Sequence, residues 1–109
     1  MSTLSSTLLT SLTRSRKVAI VSGSPSGIGT SIARELSLRG ANVVINYPSQ
    51  AERIAAEAVF KSLKGNSKSI LVEADLSTIA GPSKLVEAAV AEFGEIDILV
   101  NNADISLPN

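Results

Sequence analysis

Short apolar runs alternate with helical repeats along most of the chain. The runs lie at 17–22, 42–47, 69–74 and 96–101 and have the composition of strands that are buried on both faces. Between them, apolar residues recur at helical spacing in 27–39, 49–64 and 81–93. This β-α-β-α-β-α-β order predicts an α/β fold with a parallel sheet, helices on both faces and right-handed crossovers.

Each predicted helix carries an apolar stripe that should face the sheet. Gly40, Gly65 and Gly94 are expected to end the three helices, and Glu35 can pair with Arg39 one turn later in the first. The predicted stripes are Ile28, Ile32, Ala33 and Leu36 in the first helix, Ile54, Ala55, Ala58, Val59 and Leu63 in the second, and Leu85, Val86, Ala89, Val90 and Phe93 in the third.

The first residues differ in composition from the rest. Nine of the residues up to Lys17 are Ser or Thr, none is acidic, and Arg14 and Arg16 are basic. We interpret 1–16 as a flexible leader and expect a cytoplasmic protein. The alternative is an organelle transit peptide and a mitochondrial location. Residues 17–109 are predicted to form one domain.

The overall composition excludes several classes of partner and chemistry. The 109 residues include ten basic and ten acidic side chains, with no cysteine and no histidine. The balanced charge predicts no nucleic-acid partner and no membrane partner. Without cysteine and histidine there is no thiol or imidazole catalysis, no disulfide and no zinc ribbon, and we expect no metal.

The predicted first strand joins the first helix through a glycine-rich turn, Ser-Gly-Ser-Pro-Ser-Gly-Ile-Gly at 22–29. Glycines let the backbone approach a ligand closely, and the N–H groups at the start of a helix attract anions. The sequence therefore predicts a pyrophosphate site at this turn. The alternative, a flexible loop, has the same composition, but the position between a strand and a helix favours the phosphate site.

Three motifs together resemble the short-chain dehydrogenase/reductase family. The turn at 22–29 is similar to the family's Thr-Gly-x-x-x-Gly-Ile-Gly turn, and Asn101-Asn102-Ala103 is similar to its Asn-Asn-Ala-Gly segment. Asp75 follows the third strand, where the family keeps an acid. The resemblance covers 17–108. It implies the N-terminal part of a three-layer Rossmann-type domain with sheet order 3-2-1-4, a nicotinamide cofactor, and interconversion of a carbonyl and an alcohol.

The resemblance also implies roles for individual residues. The glycines would shape the phosphate turn, Asp75 would hydrogen-bond the adenine, and the Asn-Asn-Ala segment would lie along the ribose. From the residues themselves, Asp75 could instead cap the turn at Ser77, and the two asparagines could be a polar strand end. The expected cofactor-binding residues are Ser22, Gly23, Ser24, Ser26, Gly27, Ile28, Gly29, Tyr47, Ser49, Asp75, Leu76, Asn101, Asn102 and Ala103.

The end of the second strand favours NADP over NAD. NAD-binding folds place a carboxylate on the ribose 2′-OH about 20 residues after the glycines. Here the second strand ends in Asn-Tyr-Pro-Ser at 46–49, which contains no carboxylate, and the next carboxylate is that of Glu52. Ser49 could donate a hydrogen bond to a 2′-phosphate, and Arg53 follows one helical turn later. The ending also looks like the Asn-Tyr pattern of NADP-preferring reductases in the family. Against NADP, Ser26 stands where many NADP users have a basic residue.

The residues that do chemistry in this family are absent from the chain. Reductases of the family use a tyrosine whose pKa is lowered by a lysine four residues later. The one tyrosine is Tyr47 and Ala51 follows it at that spacing, so we expect no catalytic residue here. Two departures from the family pattern count against productive cofactor binding, because Asp104 replaces a glycine that keeps the backbone close to the cofactor and Pro25 removes an N–H from the phosphate turn.

Three functions are consistent with these observations. The chain is the cofactor half of an NADP(H)-dependent reductase with a small carbonyl or alcohol substrate, or it is a truncated, inactive remnant that binds nucleotide weakly or not at all. Alternatively, it is an interaction module that uses the exposed edge of the fourth strand, where a charge at Leu99 would break the complex. The resemblance also suggests a homo-oligomer.

Overall fold

The computed structural model describes residues 16–23, 27–65 and 67–102. Within these ranges four strands form one sheet: β1 (Val18–Val21), β2 (Asn42–Tyr47), β3 (Ser69–Glu73) and β4 (Ile98–Val100). Their order is β3-β2-β1-β4, and all three neighbouring pairs are parallel. The predicted parallel sheet and its order are confirmed.

The same ranges contain the helices α1 (Gly27–Leu38), α2 (Arg53–Ser62) and α3 (Ala80–Phe93), with a 3-10 turn at Gln50–Glu52 before α2. Successive residues of a strand face opposite sides of a sheet. In β1, Ala19 packs with the core beneath α1 and α2, while Ile20 packs with the core beneath α3. Helices therefore cover both faces of the sheet, as the alternating pattern predicts.

The predicted ends of α1 are confirmed in detail. Arg39 Nε lies 2.7 Å from a carboxylate oxygen of Glu35, and Gly40 follows with φ of 95°. That left-handed backbone is one that glycine adopts without strain, so the chain can leave the helix sharply. The stripe is partly wrong at its start, because Ile28 is 70% exposed and Gly29, Ala33 and Ser37 are the buried residues of α1.

The predicted buried stripe of the second helix is wrong in three positions. Ile54 is 84% exposed, and Ala55 and Ala58 are exposed as well. The buried residues are Ala56 and Val59. Ala56 and Val59 lie three residues apart on one helix face, and Leu63 packs with them, so this face rather than the one through Ile54, Ala55 and Ala58 meets the sheet.

The third helix also buries a narrower stripe than predicted. Leu85 and Ala89 are buried and Phe93 packs beside them, but Val86 and Val90 are exposed. A helix that packs on a sheet contacts it mainly through residues spaced three or four apart, such as Leu85 and Ala89. Val86 and Val90 each follow one of these residues in sequence and therefore point away from the sheet. The ending at Gly94 is confirmed, with φ of 86° and its N–H donating to Val90 O over 2.8 Å.

The fourth strand is shorter than the predicted 96–101. Asp97 sits just before it and accepts a hydrogen bond from Val18 N at 2.8 Å through its carboxylate, so a side chain replaces one backbone contact of the ladder. Asp97 N in turn donates to Val18 O over 2.9 Å. The middle residue of β4, Leu99, is 65% exposed on the outer strand of the described sheet. No helix in the described ranges is long and apolar enough to span a bilayer.

Candidate functional site

The carboxyl ends of all four strands lie at one edge of the sheet. The chain runs from β1 outward to β2 and β3 and then returns to place β4 on the other side of β1. This reversal opens a crevice above the ends of β1 and β4, which is where ligands bind in open α/β sheets. The predicted glycine-rich turn leaves β1 at this edge, and the Asn101-Asn102 pair leaves β4 there.

The start of α1 has the form expected of a phosphate site. Gly23 has φ of 64°, a left-handed conformation that turns the chain away from β1. Gly27 is the first residue of α1, and a Cβ built on it meets no heavy atom of the described residues within 4 Å, apart from its chain neighbours and the backbone of α1 itself. The fold therefore does not need glycine at 27 for packing, and its small size leaves open space beside the first N–H groups of the helix. Ser24 and Ser26 lie outside the described residues.

Ser22 and Asn102 join the end of β1 to the end of β4. The buried Ser22 hydroxyl donates to Val100 O over 3.1 Å and accepts from Asn102 N over 2.9 Å. Asn102 Nδ2 donates to Gly23 O over 3.2 Å. Asn102 thus ties the turn after β1 to the end of β4. Asn101 is exposed beside it, and Ala103 lies outside the described residues.

The end of β2 and the segment that follows it carry three polar side chains, those of Tyr47, Ser49 and Arg53. The Tyr47 side chain is only 1% exposed, and its hydroxyl accepts a hydrogen bond from Arg53 Nη1 at 2.6 Å. Ser49 is exposed and its hydroxyl donates to Glu52 over 3.1 Å. Tyr47 thus belongs to the core, and a ligand at this edge would meet Arg53 and Ser49 rather than the phenol ring.

The end of β3 holds Asp75 in a tight local turn. Asp75 Oδ1 accepts from the Ser77 hydroxyl at 2.6 Å and from the Ser77 amide at 3.0 Å. These two hydrogen bonds, the hydroxyl's first, hold the pKa of Asp75 below its ordinary value. The capping contact proposed as the alternative for Asp75 is therefore present, and it keeps an ionised acceptor exposed at the edge. Leu76 packs against the core beneath α3.

Two residues that shape this edge were missed by sequence reasoning. The buried Asn46 amide donates to Val72 O at 3.3 Å and to Ala74 O at 3.1 Å, which fastens the end of β2 to the end of β3. A Cβ on Gly81 would lie 1.8 Å from Asp75 O, so only glycine lets α3 begin directly beneath that turn. A polar residue within an apolar strand was the available signal for Asn46. Nothing local marked Gly81.

The residues at the edge fit a dinucleotide. The open space at Gly27 gives a diphosphate access to a helix N-terminus, where the helix dipole favours negative charge. Asp75 is an acceptor for an amino group, and Ser49 and Arg53 can donate to a phosphate near the ribose. These groups lie at the carboxyl ends of β1, β2 and β3, which are neighbours in the sheet. Dinucleotide-binding folds bind their ligand across this edge.

A family model for short chain dehydrogenases matches residues 17–109. The chain belongs to the short-chain dehydrogenase family. An uncharacterized oxidoreductase of Methylorubrum extorquens is 44% identical over 90 residues, which cover 82% of this chain and 36% of that protein. A hydroxynaphthalene reductase-like protein of Metarhizium robertsii is 44% identical over 87 residues, 80% of this chain and 32% of that protein. The chain thus spans about a third of the length of these curated relatives.

Solved structures agree with this family. A blue fluorescent protein from a metagenomic library, in complex with NADPH, matches with a TM-score of 0.75 and 36% identity over 84% of this chain and 37% of its own. Acetoin dehydrogenase from Enterobacter cloacae matches with a TM-score of 0.74 and 31% identity over 87% of this chain and 37% of its own. Both similarities support a Rossmann-type α/β fold for this chain.

Proposed function

We propose that the chain binds NADP(H) at the carboxyl edge of its sheet. In this proposal it forms the cofactor-binding part of a short-chain reductase that interconverts a small carbonyl compound and an alcohol. The observation that carries the proposal is the start of α1 at Gly27, where a Cβ would meet no heavy atom of another described element, at the point where the strand order reverses. The reductases among the curated relatives support the reaction class.

The preference for NADP rests on the end of β2. A carboxylate at that strand end would repel a 2′-phosphate, and the first one after it is Glu52, whose oxygen is engaged by the Ser49 hydroxyl. Ser49 is exposed, so the same hydroxyl can turn to a phosphate oxygen. A structural relative solved with NADPH supports the same choice. NAD remains the alternative cofactor.

The described residues supply binding and orientation. A bound nicotinamide would supply or accept the hydride. The start of α1 would hold the diphosphate, Asp75 would accept from the adenine, and the Ser22 and Asn102 contacts would keep the two strand ends at a fixed separation beneath the ligand. Tyr47 is buried and hydrogen-bonded to Arg53, so we assign it no proton transfer.

Calorimetric titration of the 109-residue chain with NADPH and with NADH tests the proposal. We expect saturable binding of both, with NADPH about tenfold tighter because its 2′-phosphate gains charge-assisted hydrogen bonds. Ser49→Ala should weaken NADPH and leave NADH unchanged, while Gln50→Ala, at the next exposed position, should change neither. No heat with either cofactor would overturn the proposal and favour the inactive remnant.

The location of the protein is a separate proposal. From composition we propose a cytoplasmic location, with a mitochondrial one as the alternative. The residues on which that choice depends, 1–15, lie outside the described residues. Imaging of a fusion that carries a fluorescent protein after Asn109 would distinguish the two, because a mitochondrial signal would contradict the cytoplasmic assignment.

A further inference from the structure

The contact between Tyr47 and Arg53 joins the core to the ligand edge. Arg53 is the first residue of α2, and its Nη1 donates to the Tyr47 hydroxyl at 2.6 Å. Its Cζ lies 5.9 Å from the centre of the Tyr47 ring. The ring itself is buried among the residues beneath α1 and α2. One end of the guanidinium is therefore held by a side chain that cannot move without disturbing the core.

From this geometry we infer that Arg53 recognises the 2′-phosphate of NADP(H) and that the Tyr47 hydroxyl positions it. The inference rests on the proposed function and adds Arg53 to Ser49 as a determinant of the cofactor preference. Arginine suits this role because its planar fork can bond two phosphate oxygens, and because less rotamer freedom is lost when the fork is already oriented.

The exposure of Arg53 argues against a role limited to the fold. The buried hydroxyl of Tyr47 needs a hydrogen-bond partner. A partner that served only to satisfy this hydroxyl could itself be fully buried. The Arg53 side chain is instead 44% exposed. No hydrogen bond from its Nη2 to residues 16–23, 27–65 or 67–102 is found, whereas Nε and Nη1 both have partners. The fork therefore keeps a donor that faces solvent at the end of β2.

Two carboxylates lie close to this arginine and would compete with a phosphate. Glu57 Oε1 accepts from Arg53 Nε at 3.2 Å, one turn along α2. Glu52 adjoins Arg53 in sequence and accepts from Ser49. An exposed pair at this spacing is weak, so a phosphate dianion can take the place of the Glu57 carboxylate. Removal of the Glu57 charge should then tighten binding of the 2′-phosphate.

The test compares the affinities of the 109-residue chain for adenosine 2′,5′-bisphosphate and for 5′-AMP, which differ only in the 2′-phosphate. The measured quantity is the ratio of the two dissociation constants from calorimetry. Arg53→Gln should lower the preference for the bisphosphate about tenfold or more, and Arg53→Lys, which keeps the charge but not the fork, should restore only part of it. Tyr47→Phe should lower the preference roughly threefold and leave 5′-AMP binding unchanged.

Two further variants separate this role from general effects of charge and stability. Arg34→Gln removes another exposed arginine whose Nε bonds a hydroxyl, that of Ser62, and it should leave the ratio unchanged. Glu57→Gln leaves the buried phenol and its partner in place and should raise the preference for the bisphosphate about threefold. Circular dichroism of each variant verifies that it is folded.

The outcomes distinguish this inference from the proposed function. If both ligands bind but Arg53→Gln and Glu57→Gln leave the ratio unchanged, the role of Arg53 is wrong and the cofactor site stands. A fall in the ratio of equal size in Arg34→Gln also overturns it, because the effect is then one of net charge. If the parent chain binds neither ligand, the proposed function fails and this inference fails with it.

Discussion

Replacement of Gly27 by alanine should separate folding from binding. Gly27 begins α1, and its φ is outside the left-handed region in which Gly23, Gly40 and Gly94 lie. A Cβ at 27 meets no heavy atom of another described element within 4 Å, so we expect the added methyl group to fit the fold without a clash. Alanine also has less freedom in the unfolded chain. We therefore expect Gly27→Ala to raise the free energy of unfolding by about 0.4–1 kcal/mol.

The same methyl group should weaken nucleotide binding. A phosphate oxygen must come within about 2.7–3.2 Å of a helix N–H to accept a hydrogen bond, whereas carbon contacts are comfortable only near 3.5–4.0 Å. A Cβ at 27 projects into the open space beside those N–H groups. The loss of one charge-assisted hydrogen bond is worth about 1.5–3 kcal/mol, which corresponds to roughly tenfold to hundredfold weaker NADPH binding.

Urea unfolding followed by circular dichroism and calorimetric titration with NADPH measure the two effects. Gly94→Ala is the matched control, because it also has open space but a φ of 86°. It should lower the free energy of unfolding by about 1–2 kcal/mol and leave NADPH binding unchanged. If Gly27→Ala binds NADPH as tightly as the parent, the phosphate site at the start of α1 is wrong. If Gly27→Ala is as unstable as Gly94→Ala, the expectation that the fold has room for a methyl group at 27 is wrong.

Three further predictions concern the same edge of the sheet. Gly81→Ala should lower the free energy of unfolding by about 1–3 kcal/mol or more in urea unfolding, because its Cβ would lie 1.8 Å from Asp75 O; a loss below about 0.5 kcal/mol would contradict that contact. Ser77→Ala should raise the pKa of Asp75 toward its ordinary value of 3.8 in an NMR titration. Since the folded pKa is depressed, the parent gains stability from Asp75 above pH 3.8 and loses it as the pH falls through the lower folded value; the variant should lose part of that dependence, because the Ser77 amide still donates to Asp75. Ser22→Ala removes the hydroxyl that bonds Val100 O and Asn102 N, while the backbone contacts of Ser22 N and Asn102 N with Val100 O remain; it should lower the free energy of unfolding by about 0.5–1.5 kcal/mol, and an unchanged urea midpoint would show that the hydroxyl is dispensable for the tie between β1 and β4.

Local patterns were sufficient for the sheet and poor for the helix faces. β2 has the predicted bounds, and Gly40 and Gly94 end helices in the left-handed conformation that their positions suggested. In α2 the pattern failed, because small and apolar residues lie on more than one helix face and only the packing shows that Ala56 and Val59 face the sheet. An apolar residue such as Ile54 does not reveal the buried face, since it is tolerated on an exposed face.

For the candidate site, the residue types and the local contact of Asp75 with Ser77 were predictable, and the contacts between separate elements were not. The glycine turn, Asp75 and the asparagine pair could be found because each follows a strand, and parallel strands end at one edge. The Tyr47 contact with Arg53, by contrast, depends on how far the ring is buried and where α2 begins. Gly81 matters only because α3 starts within contact of the Asp75 carbonyl, at six residues' separation.

The sequence by itself determined the alternation of strands and helices and the place where a phosphate could bind. Those properties depend on periodicity and on glycine, which act over a few neighbouring residues. Only the tertiary structure decided that Ser22 and Asn102 meet and that Arg53 is held half-exposed by a buried phenol. Such contacts join residues from separate elements, and their geometry follows from how the helices rotate and pack on the sheet.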